Sequence, residues 1–389
     1  MLRFGRKQVH PIGLDIGHDS VKMIQLERAG DSLSVQAAAL GALPLEARAN
    51  PQSRVALAAV LVREMLREHS FRGRRVVAAL PREMVHIRHL RLPVILDTDL
   101  DAAVCAEAKS LLPFEPAEAQ VQFLPVGEVR QGGELKQEVI LLAARHRDVN
   151  EFVETMSEAG LILEALDVEA CAMYRAVDRF VRRRDDEQEV HVLVDIGVHR
   201  SQVVIGRGRE ISFIKSIEIG GRHFQEAVSR KLGITLEEAQ SLRRRLIDPA
   251  EVPVDEKDPV RQAAHDATRA AIEDLGREIS RCLRYYAVTF RGHGPTRLRL
   301  IGGEAADPQL LTTLNKLLAI PAEVSQPLLS LDTRRMSLDG TSGTLAAWGM
   351  ALGLALKCVP GPFGPRDGKP RDVVAMAADC IRTTEAACA

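Results

Sequence analysis

Features that define several common protein classes are missing from this 389-residue sequence. No apolar run approaches the roughly 20 residues that a membrane-spanning helix needs. The start, MLRFGRKQVHP, has no apolar core after it, so we expect neither a membrane span nor a signal peptide. The six cysteines include no C-x-x-C pair, which argues against a zinc site or a disulfide framework and fits a reducing cytoplasm.

Strong charge and aromatic residues are also lacking. The formal net charge is −1 and aromatic residues make up 4% of the chain. Bulk electrostatics therefore do not indicate a nucleic-acid partner, and there are few rings on which bases could stack. The apolar content of 46% is that of an ordinary globular protein, and the length favours more than one domain.

Two stretches in different halves of the chain share one plan. IGLDIGHDSVKMIQL begins at Ile12 and VLVDIGVHRSQVVIGRGR begins at Val192; each has an apolar run, an Asp-Ile-Gly turn and a returning strand. Such a β-hairpin can present a phosphate-binding turn, because glycine lets backbone N–H groups approach an anion closely. Two such hairpins facing each other would clamp a nucleoside triphosphate, with Asp15 and Asp195 holding a hydrated Mg²⁺. Two ordinary hairpins with glycine turns are the alternative.

Between the hairpins, the pattern predicts a small α+β unit of its own. An alternating strand at 85–92, a helix that ends before Pro113, two strands around a Gly-Gly turn and a helix that ends at Gly160 give the order β-α-β-β-α. The charged run RRRDDEQE, at 182–189, is predicted to be a solvated linker between two halves of the protein.

The second half carries further glycine turns. A strand leads into Gly220 and Gly221, a long helix with an apolar stripe starts at Pro259, and the strand LRLI is followed by Gly302 and Gly303. AAWGMALGLAL, at 346–356, predicts a helix whose small residues let it pack closely against its neighbours. From Pro360 the chain is rich in proline, glycine and charge, and we expect a disordered tail.

The order of these parts resembles the actin and sugar-kinase ATPase superfamily, and within it the PilM family of type IV pilus assembly proteins. The resemblance covers nearly the whole chain up to Leu356. It rests on the two hairpins, on LLPFEP, on IEIGGRHFQEAV after the second hairpin, on REISRCLRYY, on IGGEA and on MALGLAL. LLPFEP and MALGLAL are not nucleotide motifs, so they point to this family rather than to the superfamily.

The resemblance implies a duplicated actin-like, ribonuclease H-like α/β fold, with two lobes around a nucleotide cleft and a small α+β insert in the first lobe. The expected parts are a first lobe at 1–82 and 163–181, an insert at 83–162, a second lobe at 190–229 and 296–358, a helical subdomain at 230–295 and a disordered tail at 359–389.

The resemblance also assigns the cofactors, ATP and Mg²⁺, to particular residues. The phosphates are expected to be held by Asp15, Gly17 and Lys22 in the first hairpin, by Asp195, Gly197 and Ser201 in the second, and by Gly220 and Gly221 in the turn that follows. Ribose and adenine are assigned to Glu278 and Arg281, and the adenosine turn to Gly302 and Gly303. Surface side chains are the alternative for Lys22 and for the pair Glu278 and Arg281, which share one helix face. Mg²⁺ is assigned to Asp15 and Asp195, through water.

Several residues depart from the family pattern. Asp19 adds negative charge beside the proposed phosphate site, and Glu304 stands at the usual third glycine of the adenosine motif. The other departures are His18, His199, Arg200, His223 at a position where Asp is frequent, and Cys282 where Ser is common. A folded protein with an empty, degenerate nucleotide site is therefore an alternative.

The implied function is that of a cytoplasmic adaptor in the type IV pilus machine, placed at the inner membrane by its partners. The implied partner is the cytoplasmic N-terminal peptide of PilN, an inner-membrane protein, lying between the first subdomain and the insert. Other proteins of the inner-membrane platform and the motor are further implied partners, and self-association is left open. The sequence does not fix which residues line the groove. The hydrophobic edge of the insert around Leu90, Leu92 and 111–114 is one candidate, although insert core is the favoured interpretation for any single one of these residues.

Other functional classes stay open. No residue is placed as a catalytic base, so we expect at most a slow ATPase whose nucleotide shifts a conformational population. An FtsA-like filament or membrane-tethered scaffold is one alternative, although 373–381 is only weakly amphipathic. A small-molecule kinase is another, but it needs a further catalytic carboxylate that the sequence does not place.

Overall fold

A computed structural model describes residues 7–30, 32–48, 50–180, 186–247, 258–290, 294–336 and 345–360. The chain falls into two compact units: the first comprises 1–182, 328–339 and 350–389, and the second comprises 183–327 and 340–349. Most of the expected tail, 361–389, and part of the expected linker, 181–185, lie outside the described residues.

The elements follow in chain order. Those of the first half are β1 (Gln8–Ile16), β2 (Ser20–Ala29), β3 (Ser32–Ala42), α1 (Pro51–Glu68), β4 (Arg75–Ala79), β5 (His86–Pro93), α2 (Asp97–Leu111), β6 (Ala119–Gln131), β7 (Glu134–Arg145), α3 (His146–Glu158), β8 (Ile162–Asp167) and α4 (Glu169–Asp178). Those of the second half are β9 (Val190–Ile196), β10 (Ser201–Arg207), β11 (Glu210–Ile217), α5 (Gly221–Leu232), α6 (Leu236–Ile247), α7 (Pro259–Thr289), β12 (Leu298–Ile301), α8 (Pro308–Leu317), β13 (Ala322–Val324) and α9 (Gly349–Ala355).

Each unit is built on a five-stranded sheet of the same plan. The order is β3-β2-β1-β4-β8 in the first and β11-β10-β9-β12-β13 in the second. In both, three antiparallel strands in a meander are followed by two parallel strands. This repetition confirms the predicted duplicated fold, with both Asp-Ile-Gly hairpins at corresponding places.

The central strands are buried on both faces. In β9 every residue except Asp195 is buried, and β10 is buried up to its last residue. Strands covered by helices on both sides read as continuous apolar runs, and this explains why the sequence shows runs rather than alternation here. In the first unit α1 packs Val55, Ala58 and Val62 against the core residues of β1 and β2.

The insert is smaller than the sequence predicts. Its sheet, β5-β7-β6, and helix α2 share a core of their own. Helix α3, expected within 83–162, instead contributes Val149, Phe152 and Met156 to the core of the first lobe. The reason is its amphipathic face: these three side chains lie on one stripe, and α1 and β8 provide the apolar surface that covers it.

For most of the residues considered as a groove lining, the structure confirms the alternative, which is insert core. Leu90, Leu92 and Leu112 are at most 8% exposed and belong to the insert core, packed against α2 and β7. Phe114 is only partly buried, and its ring meets His86 edge-on at 4.9 Å between centroids. The Arg145 guanidinium lies 4.9 Å from the centre of the same ring.

Two stretches expected in the second lobe belong to the first unit. A Cβ on Gly13 would lie 2.1 Å from the Ala351 carbonyl oxygen, and one on Gly353 would lie 1.8 Å from that of Ala172, so α9 packs backbone to backbone against β1 and α4. Along the edge of β3, the Val35 N–H donates to the Asp332 carbonyl at 2.9 Å. The boundary of 296–358 is corrected accordingly.

Helix α7 joins what was expected to be a separate helical subdomain to the second sheet. Ala264, near its start, packs with α5 and α6. Its later residues Ile272, Leu275 and Ile279 are buried in the core of the sheet. In the described part of the chain, no helix has both the length and the apolar character to cross a membrane.

A buried charge cluster lies at the end of β8 in the first unit. The Asp167 carboxylate lies 2.8 Å from Arg175 Nη1 and 3.3 Å from Lys357 Nζ, and it accepts the Val168 N–H at 2.9 Å. Burial by itself would raise the pKa of Asp167, but the two cations and the hydrogen bonds more than offset this, so the pKa lies below its ordinary value.

We expect Asp167→Asn to lower the free energy of unfolding by about 3–5 kcal/mol, because two buried cations lose their counter-ion. The lowered pKa of Asp167 also determines how the free energy of unfolding depends on pH. The stability that the ionised Asp167 contributes in the wild type is fully present above the unfolded-state pKa of about 4, and it is lost as the pH falls through the folded-state pKa. Chemical denaturation followed by circular dichroism, at neutral and at acidic pH, measures both effects.

Glu164→Gln, on the same strand, is the matched control for Asp167→Asn. Glu164 pairs with Arg75 at 2.5 Å, but the arginine side chain is 60% exposed, so the loss should stay below about 1 kcal/mol. Equal losses for the two variants would contradict the assignment of a buried, stabilising cluster at Asp167.

Candidate functional site

The first hairpin forms a tight tip with charges on both sides. The Gly17 N–H donates to the Ser20 carbonyl at 3.0 Å, and Asp15 pairs in register with Lys22 across the strands. Lys22 Nζ lies 3.6 Å from Asp15 Oδ2. An ammonium group beside a carboxylate at a glycine turn is an arrangement that can receive a phosphate and a hydrated cation.

The negative charge of Asp19 is compensated. Its Oδ1 lies 3.1 Å from Arg48 Nε and 2.9 Å from His18 Nδ1. The Asp19 carbonyl also accepts the Leu43 N–H at 2.9 Å, which fixes the tip against the chain after β3. The two departures at His18 and Asp19 are therefore partners of each other and of Arg48, so Asp19 does not stand beside the hairpin as an isolated negative charge.

The second hairpin has the same tip geometry as the first, and a second turn is hydrogen-bonded to it. The Gly197 N–H donates to the Arg200 carbonyl at 3.1 Å, as Gly17 does to Ser20. The carbonyls of Gly197 and Val198 accept the N–H groups of Gly221 and Arg222, at 2.9 and 2.7 Å. The start of α5 is thus hydrogen-bonded directly to the hairpin tip.

This contact requires glycine at position 220. A Cβ there would lie 2.6 Å from the Gly197 carbonyl oxygen and 2.7 Å from the Arg200 nitrogen, distances that real Cβ atoms do not adopt. The Gly220 N–H donates to His223 Nδ1 at 3.2 Å. His223 Nδ1 therefore accepts a hydrogen bond at the start of α5. This is the capping contact that an acidic residue would make at this position.

The turn at Gly302 and Gly303, expected from the sequence to be an adenosine turn, also meets the second hairpin. Gly302 follows β12, which runs parallel to β9 with Ile301 beside Asp195. Gly302 has φ of +95°, and a Cβ on it would lie 2.5 Å from Asp195 Oδ1. The second unit therefore brings Asp195, Gly197, Gly220, Gly221 and Gly302 together around one hairpin tip.

Gly303 differs from its neighbour in having space. No atom of the described structure lies within 4 Å of the position of a Cβ on Gly303, and the residue is exposed. A larger side chain would therefore be tolerated by the fold, while it would occupy the space directly in front of the turn. This makes Gly303 a sensitive position for testing whether a ligand binds here.

Ser201 is turned away from the tip. It is fully buried, and its hydroxyl donates to the Ile219 carbonyl at 2.7 Å. The residue that pairs in register with Asp195 is Gln202, which is 1% exposed. Because directly opposed residues of antiparallel strands share one face, Gln202 stands where Lys22 stands in the first hairpin. Gln202 follows Asp195 at the same spacing at which Lys22 follows Asp15, so an alignment of the two hairpin sequences would have identified it.

Glu304 is held by a buried arginine that sequence reasoning missed. Arg243 of α6 lies 2.8 Å from Glu304 Oε2 and 2.8 Å from Asp307 Oδ2, and its guanidinium stacks 5.0 Å from the centre of the Phe224 ring. The Glu304 carboxylate also approaches Gly221, where a Cβ would lie 2.2 Å from Oε1. Burial alone would lower the pKa of Arg243, but both carboxylates raise it above its ordinary value. The available signal was an arginine on the apolar face of α6.

Glu278 and Arg281 form an ion pair with each other on α7, where Arg281 is 66% exposed. In the described structure, the side-chain hydrogen bonds and ion pairs of these two residues join only one to the other. Cys282 faces inward and is 6% exposed; burial raises the pKa of its thiol to about 11, so it packs as a neutral group.

We expect Arg243→Met to lower the free energy of unfolding of the protein by about 3–5 kcal/mol, since the largely buried carboxylates of Glu304 and Asp307 would lose their counter-ion. Arg222→Met is the control, because the exposed pair between Arg222 and Glu226 contributes only about 0.3–0.5 kcal/mol. Thermal and chemical denaturation measure the difference. Adding Glu304→Gln to Arg243→Met should restore part of the loss, and a double variant as unstable as the sum of the singles would contradict the cluster.

Solved structures place this architecture among known proteins. One chain of the PilM-PilN type IV pilus biogenesis complex is similar to this one at 25% identity, over 89% of this chain and 98% of that chain, with a TM-score of 0.73. The ethanolamine utilization protein EutJ from Carboxydothermus hydrogenoformans is similar in fold alone, at 14% identity over 90% of each chain, with a TM-score of 0.52.

The family comparison covers most of the chain. The family described as type IV pilus assembly protein PilM matches residues 13–359, from within β1 to beyond α9. That range includes both hairpins, the insert, the turn at Gly220 and the adenosine turn. With its duplicated sheets and actin-like ATPase fold, this chain belongs to the PilM family of type IV pilus assembly proteins.

Proposed function

We propose that this protein is a cytoplasmic adaptor of type IV pilus assembly that binds ATP with Mg²⁺ and is held at the inner membrane by its partners. The observation that carries the nucleotide proposal is the meeting of three glycine turns around Asp195 in the second unit. At Gly220, Gly221 and Gly302 a Cβ would collide with atoms of the hairpin or of Glu304, so these turns come together only because the residues are glycine. Such turns are suited to a ligand that needs close backbone approach.

The roles follow from the chemistry of the residues. Gly197, Gly220 and Gly221 would lie along the phosphates, and Gly302 and Gly303 along the adenosine. Asp195 would hold hydrated Mg²⁺, and in the first unit Asp15, Gly17 and Lys22 keep the phosphate and Mg²⁺ roles that the repeat implies. Glu278 and Arg281 keep their proposed ribose and adenine roles, for which their own ion pair would have to open.

The donor set fits Mg²⁺ rather than a tightly caged metal. Among the described residues, no group of three or more His, Cys, Asp or Glu side chains is arranged to hold a metal ion. Mg²⁺ keeps several waters and is usually held by one or two carboxylates together with phosphates, which suits one aspartate at each hairpin tip. Bound Mg·ATP would supply binding energy that shifts a conformational equilibrium, and we propose at most slow turnover.

Two charges that argued for a degenerate site are compensated. Asp19 is paired with Arg48 and His18, and Glu304 with Arg243. An anionic triphosphate would therefore meet carboxylates whose charge is already balanced by neighbouring cations. This supports a functional nucleotide site over an empty one.

Gly303→Trp should lower the affinity for ATP at least about tenfold, because the indole would fill the space in front of the adenosine turn. The matched control is Gly294→Trp: Gly294 lies in the same unit and also has no atom within 4 Å of a Cβ position. Titration with a fluorescent ATP analogue in the presence of Mg²⁺ measures both variants.

Asp195→Asn adds a metal readout to the same titration. It should weaken binding of the analogue with Mg²⁺ more than binding without Mg²⁺, since it removes the charge that the ion requires. Wild-type affinity in Gly303→Trp together with an unchanged Mg²⁺ dependence in Asp195→Asn would overturn the nucleotide proposal.

The partner proposal rests on the PilM-PilN complex, whose chain is similar to this one over most of its length. We place the PilN N-terminal peptide at Phe114, where the end of the LLPFEP segment meets His86 and Arg145. Phe114 is partly buried and Arg145 directly precedes α3, so this spot joins the insert to the first lobe. An aromatic ring backed by a cation suits an extended peptide with alternating apolar and polar side chains.

Phe114→Ala should weaken binding of a PilN N-terminal peptide by about tenfold or more, as expected for a central aromatic anchor. Leu135→Ala, at the exposed start of β7, is the control and should leave affinity unchanged. Isothermal titration calorimetry with the synthetic peptide measures both. Equal affinities for wild type and Phe114→Ala would remove this placement, although not the partner itself.

A further inference from the structure

Basic side chains that the nucleotide and peptide proposals do not use lie along one end of the strands of the first sheet. At this end β1, β4 and β8 begin and β2 ends. Gln8 pairs with Arg28 there, and Arg75 pairs with Ile162. We call it the basic edge, and its cations are Lys7, Arg28, Arg72, Arg74, Arg75, Arg334 and Arg335.

Glu27 holds three of these cations in place. It is only 3% exposed, and its carboxylate lies 3.1 Å from Lys7 Nζ, 3.5 Å from Arg335 Nη1 and 3.8 Å from Arg72 Nη1. The three cationic side chains are themselves between 51 and 60% exposed. One buried carboxylate therefore positions three exposed positive charges, which leaves a positive excess facing solvent.

The loop that carries Arg72 and Arg74 is fixed by the buried side chain of Gln25. Gln25 Nε2 donates to the carbonyls of Arg72 and His10 at 2.8 and 3.0 Å, and its Oε1 accepts the Arg72 N–H at 2.8 Å. The backbone of the loop is thus anchored through Arg72 while the arginine side chain points outward. Neutral substitutions of the two arginine side chains would leave this anchoring intact.

An exposed apolar side chain lies among these cations. Ile162 is 60% exposed, its N–H donates to the Arg74 carbonyl at 2.9 Å, and it pairs in register with Arg75. Among the described residues, the basic side chains of this edge outnumber the acidic ones beside them. The acidic neighbours are Glu27, Glu164 and Asp332, which pair with cations of this edge, and Glu68 and Glu158 at the nearby helix ends.

We propose that the basic edge binds the anionic surface of a phospholipid bilayer. Such a surface presents diffuse negative charge above an apolar layer, and exposed arginines around an isoleucine complement both. The chain as a whole has a net charge of −1, so the positive excess is a local feature of this edge rather than a consequence of composition. Contact with the bilayer would strengthen the membrane attachment that a membrane-bound partner provides.

The test is flotation of the full-length protein with vesicles of phosphatidylcholine alone or mixed with phosphatidylglycerol, at low and at high salt. The wild type should float with the mixed vesicles at low salt and be released by salt, because the attraction is screened. Arg72→Gln/Arg74→Gln should bind about 25-fold more weakly, since each basic residue near an anionic surface contributes roughly a factor of five. Ile162→Ser should weaken binding less, and its residual binding should be more sensitive to salt.

Arg269→Gln/Arg277→Gln is the matched control, since it makes the same change in net charge at exposed arginines of α7 in the second unit. It should bind the mixed vesicles like wild type, and circular dichroism verifies that all variants fold. Equal flotation with both vesicle types, or equal weakening in the two double variants, would overturn the proposal. So would a protein that ignores both vesicle types but binds polyglutamate through Arg72 and Arg74, because the occupant would then be an acidic chain.

Discussion

Steric exclusion of side chains at the second hairpin is the constraint on which the architecture of the second unit depends. The start of α5 reaches the hairpin tip through hydrogen bonds to Gly197 and Val198, and the turn after β12 reaches Asp195. Neither approach leaves room for a Cβ at Gly220 or Gly302. Three separate parts of the chain therefore meet at positions where only glycine fits, which fixes the local geometry closely.

Charge is balanced around these contacts by buried clusters rather than by surface pairs. Arg243 neutralises Glu304 and Asp307 beside the adenosine turn, and Arg175 and Lys357 neutralise Asp167 at the end of β8. Such clusters are costly to bury, and breaking one is costlier still, so each ties a helix to the end of a strand. In the second unit this tie secures α6 against the adenosine turn, which connects the proposed nucleotide site to the stability of its surroundings.

The first unit combines a turn, an insert and a charged edge in one compact body. Its hairpin carries Asp15 and Lys22 at one end of the sheet, while the basic edge lies at the other end, where β1 and β4 begin. The insert is attached through β7 and α3, and α3 belongs to the core of the lobe. The proposed contacts of this unit with nucleotide, peptide and bilayer therefore fall on different parts of it.

The sequence predicted the fold and the family, while the tertiary structure was needed to show which side chains are buried and paired. The repeat of Asp-Ile-Gly hairpins, the glycine turns and LLPFEP were enough to predict the duplicated fold and the family, because local turn chemistry and continuous apolar runs are visible along the chain. Most of the candidate site was named in the same way. The position of α3 and the pairing of Gln202 with Asp195 were not predicted, and the burial of Leu90 and Leu92 was an alternative that the sequence left open. Each of these depends on how distant segments pack together.

Arg243 illustrates the limit most clearly. Within α6 it is one of three consecutive arginines, and helical spacing places it on the apolar face. Only the fold decides that Glu304 and Asp307 are the groups it pairs with. The sequence by itself determined that phosphate-type turns exist and in what order they occur. Tertiary structure decided which side chains are neutralised, because the cost of a charge depends on how much water and which counter-ions surround it once distant segments have come together.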